Sequence, residues 1–416
     1  MPGRRRFIQR TLGALGAATL SPSLRAAAAP GVRDRIVADL RGWDAIADHR
    51  TGSEGDDATA AWLAAQVRAI GVEPILSEFD FQRRTPDACR VDDGVTAIAG
   101  VPLFDGGSTD AGGIRGRLGA LGSDAPIGLA FYEPFSGAPQ TQALEAARRS
   151  SAHRAIVAVA AGQTVKPGLA LLNADAYGTP FGPPVLQIAT AHGAKLQALA
   201  AAGAAAGAEV TVVTTLREDT VPVSNVEATI RGSRPELAPV VVMTPRSAWW
   251  TCTAERGGGI SLWLEALRRW ATEPPERTLL FTANTGHELG HVGLDRFLHA
   301  NPDLVADAHA WVHLGANFAA AGGEVRYQAS EPGLMRLGLD AIAAAGVAAP
   351  EITPVAQRPY GEARNVFDGG GRYVSLLGSN RLFHHPDDRW PAAVDLDRTL
   401  RLTDAMLDVI AALVRA

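Results

Sequence analysis

Arg277-Thr-Leu-Leu-Phe-Thr-Ala-Asn-Thr-Gly-His-Glu-Leu-Gly-His291 is the stretch on which the fold turns. Its last five residues fit the pattern His-Glu-x-x-His. On a helix that pattern sets two imidazoles on one face, able to hold zinc, with the Glu as base. The flanks point elsewhere. Behind the Pro274-Pro275 breaker, Arg277 to Ala283 is a short apolar run of the kind that forms a buried strand. Asn284-Thr-Gly286 reads as a turn. Inside a helix, Gly290 and Gly293 would each cost about 1 kcal/mol relative to Ala. The stretch therefore reads as strand, loop and then a helix from near Leu294, with His287 and His291 in the loop.

Outward from this strand, apolar runs alternate with helical patterns. Val226 to Ile230, Pro239 to Met243 and Ala310 to Leu314 read as strands. Gly259 to Trp270, Leu294 to His299 and Asp395 to Ala416 read as helices. That alternation predicts a mainly parallel, twisted α/β sheet flanked by helices on both faces. Sites in such sheets lie beyond the carboxyl ends of strands. Thr244 to Ser247, His287 to His291 and His313 to Asn317 fall there. Towards the N-terminus, Ile36 to Ile70 reads as two helices around the loop Asp48 to Gly55, followed by a strand from Val72 to Phe81. Residues 89–221 differ in character, being rich in Gly, Ala and Pro with short β-branched runs. Ala155 to Val159, Pro184 to Ile188 and Glu209 to Val213 are its expected strands, and Gln142 to Arg149 and Ala191 to Ala202 its expected helices. This segment reads as a smaller inserted α/β domain between the two parts of the main one, residues 30–88 and 222–416.

The composition sets limits. With 416 residues, 47% hydrophobic and 20% charged, the chain is globular and long enough for two cores. A net charge of -5 gives no electrostatic footprint for nucleic acid. Residues 1–29 read as a targeting segment, with Arg4-Arg-Arg-Phe-Ile-Gln9 in the twin-arginine pattern, a modest apolar run and a small-residue cleavage region. Export of a folded protein is the expectation. No other apolar run is long enough to span a bilayer. The two cysteines, Cys89 and Cys252, are read either as a pair or as two buried free thiols. Trp249-Trp250 reads either as the lining of an apolar substrate pocket or as packing under the sheet. Arg246 and Arg256 read as partners for a substrate carboxylate or as structural arginines. No Gly-x-Ser-x-Gly is present, so a serine hydrolase has no support.

The order of motifs resembles the co-catalytic zinc exopeptidases, a family that includes bacterial leucyl aminopeptidases, glutamate carboxypeptidase II and the transferrin receptor. Thr51-Gly-Ser53 before a helix resembles the family's opening. Residues 89–221 resemble its inserted protease-associated (PA) domain, closing on Val223-Ser-Asn-Val-Glu-Ala-Thr-Ile-Arg-Gly232. Leu279 to Leu298 resembles the strand and loop with the family's Glu-Glu pair, and Leu382-Phe-His-His-Pro-Asp-Asp388 resembles its closing Tyr-His-Thr-x-x-Asp. The resemblance implies two zinc ions that share a bridging Asp and a water, with a Glu as the base.

The residues depart from that pattern. Pro245 stands at the first His ligand and Ser247 at the Asp that orients it. Glu255 stands for the bridging Asp, Glu288 keeps a metal position and His287 replaces the base. Gly315 replaces a ligand, His384 is retained, and Phe383 replaces a Tyr. An ordinary two-zinc site cannot be assembled from this set. Two readings follow. In the first, Glu255, Glu288, His384, His313 and His291 hold one ion of zinc or another divalent transition metal, His287 acts as base or ligand, and Arg246, Trp249 and Arg256 meet a peptide-like or amide substrate. That protein is an exported hydrolase of peptide or amide bonds. In the second, the metals are gone and the chain is an inactive homologue that binds a ligand.

Overall fold

The computed structural model describes residues 31–206 and 208–415, so the twin-arginine stretch lies outside them. At its centre four neighbouring strands run parallel, in the order Tyr373–Gly378, Ala310–Leu314, Val240–Pro245 and Leu279–Asn284. Parallel neighbours need crossovers, and the helices Gly258–Thr272 and Val292–Ala300 supply two of them. The alternation of strand side chains then sorts the core. Val240 and Val242 enter a large cluster with Trp43, Leu63, Trp263 and Met406, from helices on one face. Val241 and Met243 enter a smaller cluster on the other face, with Leu294, Phe297 and Val366. Burying each such Val or Leu contributes roughly 1.5–3 kcal/mol.

The expected parallel arrangement holds at the centre, and the flanks add antiparallel strands. Val325–Ala329 pairs antiparallel with Tyr373–Gly378 on one side, and Glu209–Ile230 with Leu279–Asn284 on the other. The result is one large mixed sheet with helices on both faces. The expected helix near Leu294 begins at Val292.

One element is longer than its sequence suggests. Ile75–Asp92 and Glu209–Ile230 pair antiparallel as a continuous ribbon, with an irregularity between Pro86 and Ala88. The sequence reading broke each strand in the middle, because Arg217 to Thr220 shows no apolar alternation. Cross-strand ion pairs hold the register there instead, Arg83 to Asp219 at 2.5 Å and Arg84 to Glu218 at 2.9 Å. The ribbon runs into a second group of strands, Ile114–Ala120, Ile127–Tyr132, Ala155–Ala160 and Val185–Ile188. These strands have core clusters of their own. From this region a long loop returns to the central sheet: the Lys166 N–H donates to the Arg381 carbonyl, and the Ala174 N–H to that of Glu288. Cys89 and Cys252 are free thiols. Among the described residues, no helix is long and apolar enough to cross a membrane.

Candidate functional site

The carboxyl ends of the four parallel strands converge on one buried centre. Arg246 and Ser247 follow the first strand in sequence, and the Gly286–His291 loop follows the next. Gly286 and Gly290 take left-handed φ values of 78° and 77° in that loop, which rules out one helix through both histidines. A π-helical turn, Thr253–Gly257, carries Glu255 and Arg256 into the helix Gly258–Thr272. Cys252, His291, Asn317 and His384 have left-handed φ values of 44°, 63°, 73° and 55°. These are four of the five non-glycine residues in that conformation among the described residues. Such backbone strain persists where surrounding structure over-determines it, often at functional sites.

A guanidinium fills the middle of this centre. Arg256 is 1% exposed, and its Nη2 lies 2.9 Å from Glu255 Oε1 and 2.8 Å from Glu288 Oε1. Its Nε donates to the Ser247 carbonyl at 2.9 Å. The second oxygen of Glu288 accepts from Ser247 Oγ at 2.6 Å. His384 Nε2 stands 3.4 Å from Glu255 Oε1. Its Nδ1 donates to the Leu171 carbonyl at 2.6 Å, so the returning loop orients the ring. Burial pushes the Glu255 carboxyl up, but Arg256 and His384 outweigh burial and hold it at about 2. One guanidinium thus meets two acidic side chains in a buried centre.

Beside this centre opens a cleft of about 1090 Å³, lined by His287, His291 and His313 among others. Burial pushes His287 well below its ordinary value, and His291 and His313 down to about 3, so all three rings are neutral. The His287 and His291 rings stack at 4.6 Å. His291 Nδ1 lies 2.7 Å from Asn365 Oδ1, and Asn365 Nδ2 donates to Asp295, which makes Nδ1 the protonated nitrogen. His287 Nδ1 lies 3.3 Å from Glu362 Oε1. Burial raises the Glu362 carboxyl to about 8. Sequence reading missed Glu362, whose surroundings Pro359-Tyr-Gly-Glu362 carry no recognisable pattern.

Three of the expected substrate contacts land elsewhere. Arg246 is 0% exposed, pairs with Asp56 at 2.7 Å and also donates to the Ser224 carbonyl, so it ties the first helix pair to the sheet. Trp249 is buried, stacks on Phe104 and donates from Nε1 to Asn173. It borders a small separate pocket with Arg50, Phe81 and Tyr177. Arg256 faces the two glutamates rather than open space.

No family model matches the sequence, and no curated protein does. Solved structures do match. BSAP, a zinc aminopeptidase from Bacillus subtilis, is 15% identical with a TM-score of 0.74, covering 93% of this chain and 96% of its own. The aminopeptidase from Aneurinibacillus sp. strain AM-1 is 14% identical with a TM-score of 0.69, covering 92% and 94%. A peptidase M28 precursor from Shewanella amazonensis SB2B is 12% identical with a TM-score of 0.68, covering 92% and 97%. The chain has the zinc aminopeptidase fold.

A zinc aminopeptidase fold raises the question of a divalent metal, and the donor set can be tested against it. An ion between Glu255 and Glu288 would need the place that Arg256 Nη2 holds. Among the described residues, one group of three possible donors has all its ligating atoms within 4.8 Å: Cys252, Glu255 and Asp388. Its carboxylates are already engaged. Asp388 accepts from the Ala254 and Glu255 N–H groups and from Asn380 Nδ2. With Arg256 Nη2 between Glu255 and Glu288, and Asp388 held by two backbone N–H groups and an amide, these residues do not fit a zinc pair on this scaffold.

Proposed function

We propose that this chain binds a peptide-like or amide ligand in the cleft beside Arg256 and does not hydrolyse it. The observation that carries this reading is the Arg256 guanidinium seated between Glu255 and Glu288, where a built-in cation answers the charge that metal would answer. The cleft of about 1090 Å³ is large enough for such a ligand. Aminopeptidases of the same fold suggest the peptide-like class. The Arg4 to Gln9 pattern adds export to the proposal.

A one-metal hydrolase is the second reading, favoured by three histidines on one cleft. Metal analysis of protein purified without added zinc separates the two. The binding reading expects no stoichiometric metal and no chelator-sensitive cleavage of aminoacyl, acyl-amide or dipeptide substrates. About one equivalent of zinc, lost in Glu288→Ala and His384→Ala together with such cleavage, would overturn it.

A further inference from the structure

We infer that the cleft floor recognises an uncharged amide group, with His313 Nε2–H donating to its carbonyl oxygen and Asn317 Oδ1 accepting its N–H. This rests on the binding reading above and specifies the ligand. Both atoms are buried without a partner, in residues 0% and 5% exposed that line the same cleft. Buried polar atoms without partners are few in folded proteins, and each calls for a group to meet it.

The proton on His313 can be placed by following hydrogen bonds inward from the backbone. The Tyr360 N–H donates to Gln328 Oε1 at 2.9 Å, and Gln328 Nε2 donates to the Tyr360 carbonyl at 3.2 Å. A backbone donor and a backbone acceptor thus fix the orientation of that amide. Gln328 Nε2 also donates to Ser375 Oγ at 3.1 Å. The Ser375 hydroxyl hydrogen is then left for His313 Nδ1, 2.8 Å away. With Nδ1 accepting, a neutral imidazole carries its hydrogen on Nε2. Gly315 and Gly361 leave room for the ring, since a Cβ would come within 2.6 Å and 2.8 Å of its Cε1.

Asn317 is equally constrained. Its φ of 73° is left-handed, its N–H donates to the Glu255 carbonyl and its own carbonyl accepts from Ala320. The cleft therefore offers a donor on His313 and an acceptor on Asn317, which the carbonyl oxygen and N–H of an amide would answer. Charge argues against a carboxylate. The rim arginines are already matched, Arg326 with Glu351, Arg358 with Asp368 and Arg364 with Asp175.

Two measurements test this. Nitrogen-15 NMR of the imidazoles should show His313 in the Nε2–H form, and in Ser375→Ala that preference should weaken; an Nδ1–H form in the wild type overturns the assignment. Calorimetry with acyl primary amides and the matching methyl esters, which carry no N–H, should show the amides binding about tenfold tighter or more. Asn317→Gly, which tolerates the left-handed backbone, should erase that difference, and His313→Phe should weaken both probes. Equal affinity for amide and ester, or no binding by any probe, overturns the amide reader. Stoichiometric metal overturns the binding reading itself, so the two failures are told apart.

Discussion

Arg256 has one guanidinium and two carboxylates to satisfy, and its removal exposes that arrangement. In Arg256→Gln, Glu255 and Glu288 are left in a buried centre without the cation they share. Breaking a buried ion pair from one side costs about 3–5 kcal/mol, so urea denaturation at pH 7 should show a loss of that order. Added zinc should raise the melting temperature of the variant and leave the wild type unmoved; a wild type stabilised as strongly as the variant would count against the guanidinium as the cation. Much of this centre was legible in the sequence. The resemblance sets Pro245 and Gly315 at ligand positions, and neither offers a metal-binding side chain, so the expectation against an ordinary paired site rested on resemblance and residue types together. The direction of Arg256 was not legible there. Glu255-Arg256 reads as two neighbouring charges, and only the π-helical turn brings Arg256 Nη2 against both Glu255 and Glu288.

At the scale of elements, Gly293 shows why a helix-breaking residue stands in the first turn of a helix. A Cβ there would lie 2.2 Å from the Thr285 carbonyl and 2.5 Å from Asn225 Oδ1, and the Gly293 carbonyl accepts from Asn225 Nδ2. Gly293→Ala should therefore destabilise by about 1–3 kcal/mol, although Ala is the better helix former. Equal or greater stability in a chemical denaturation curve would refute that account. The sequence argument against a helix through both histidines holds at Gly290, with its left-handed φ of 77°, and not at Gly293, which lies inside the following helix. The long ribbon was not legible, because charged pairs such as Arg84 and Glu218 hold a register that apolar alternation would otherwise signal. Replacing Arg83 with Ala should loosen the ribbon midway, seen as faster amide exchange near Asp219 with little change at Ile230.

Across the whole molecule, buried neutral histidines tie stability to pH. His49 stacks on Trp43 at 3.7 Å, and burial pushes it down to about 3. Its folded value lies below the ordinary 6.5, so between pH 6.5 and about 3 the unfolded chain binds a proton that the native chain refuses. Stability contributed by this group is whole above pH 6.5 and is lost on acidification through that window. His49→Phe should flatten the slope of stability against pH there by up to ~1.4 kcal/mol per pH unit; an unchanged slope would mean that His49 titrates normally. The α/β class and three of the four central strands were readable from alternating patterns, since each is a short apolar run, whereas Tyr373–Gly378 and the order of the strands were not. The inward return of residues 166–174 was not, because contacts such as Leu171 with His384 span 213 positions of chain without a local signature.

On the binding reading, the positive charge at the heart of this scaffold is delivered by translation rather than by uptake. An arginine cannot be chelated away, exchanged for a competing ion or left empty where the supply runs short. The fold should therefore mature and persist unchanged in surroundings starved of zinc or flooded with it, conditions that would strip or mismetallate a protein relying on captured ions.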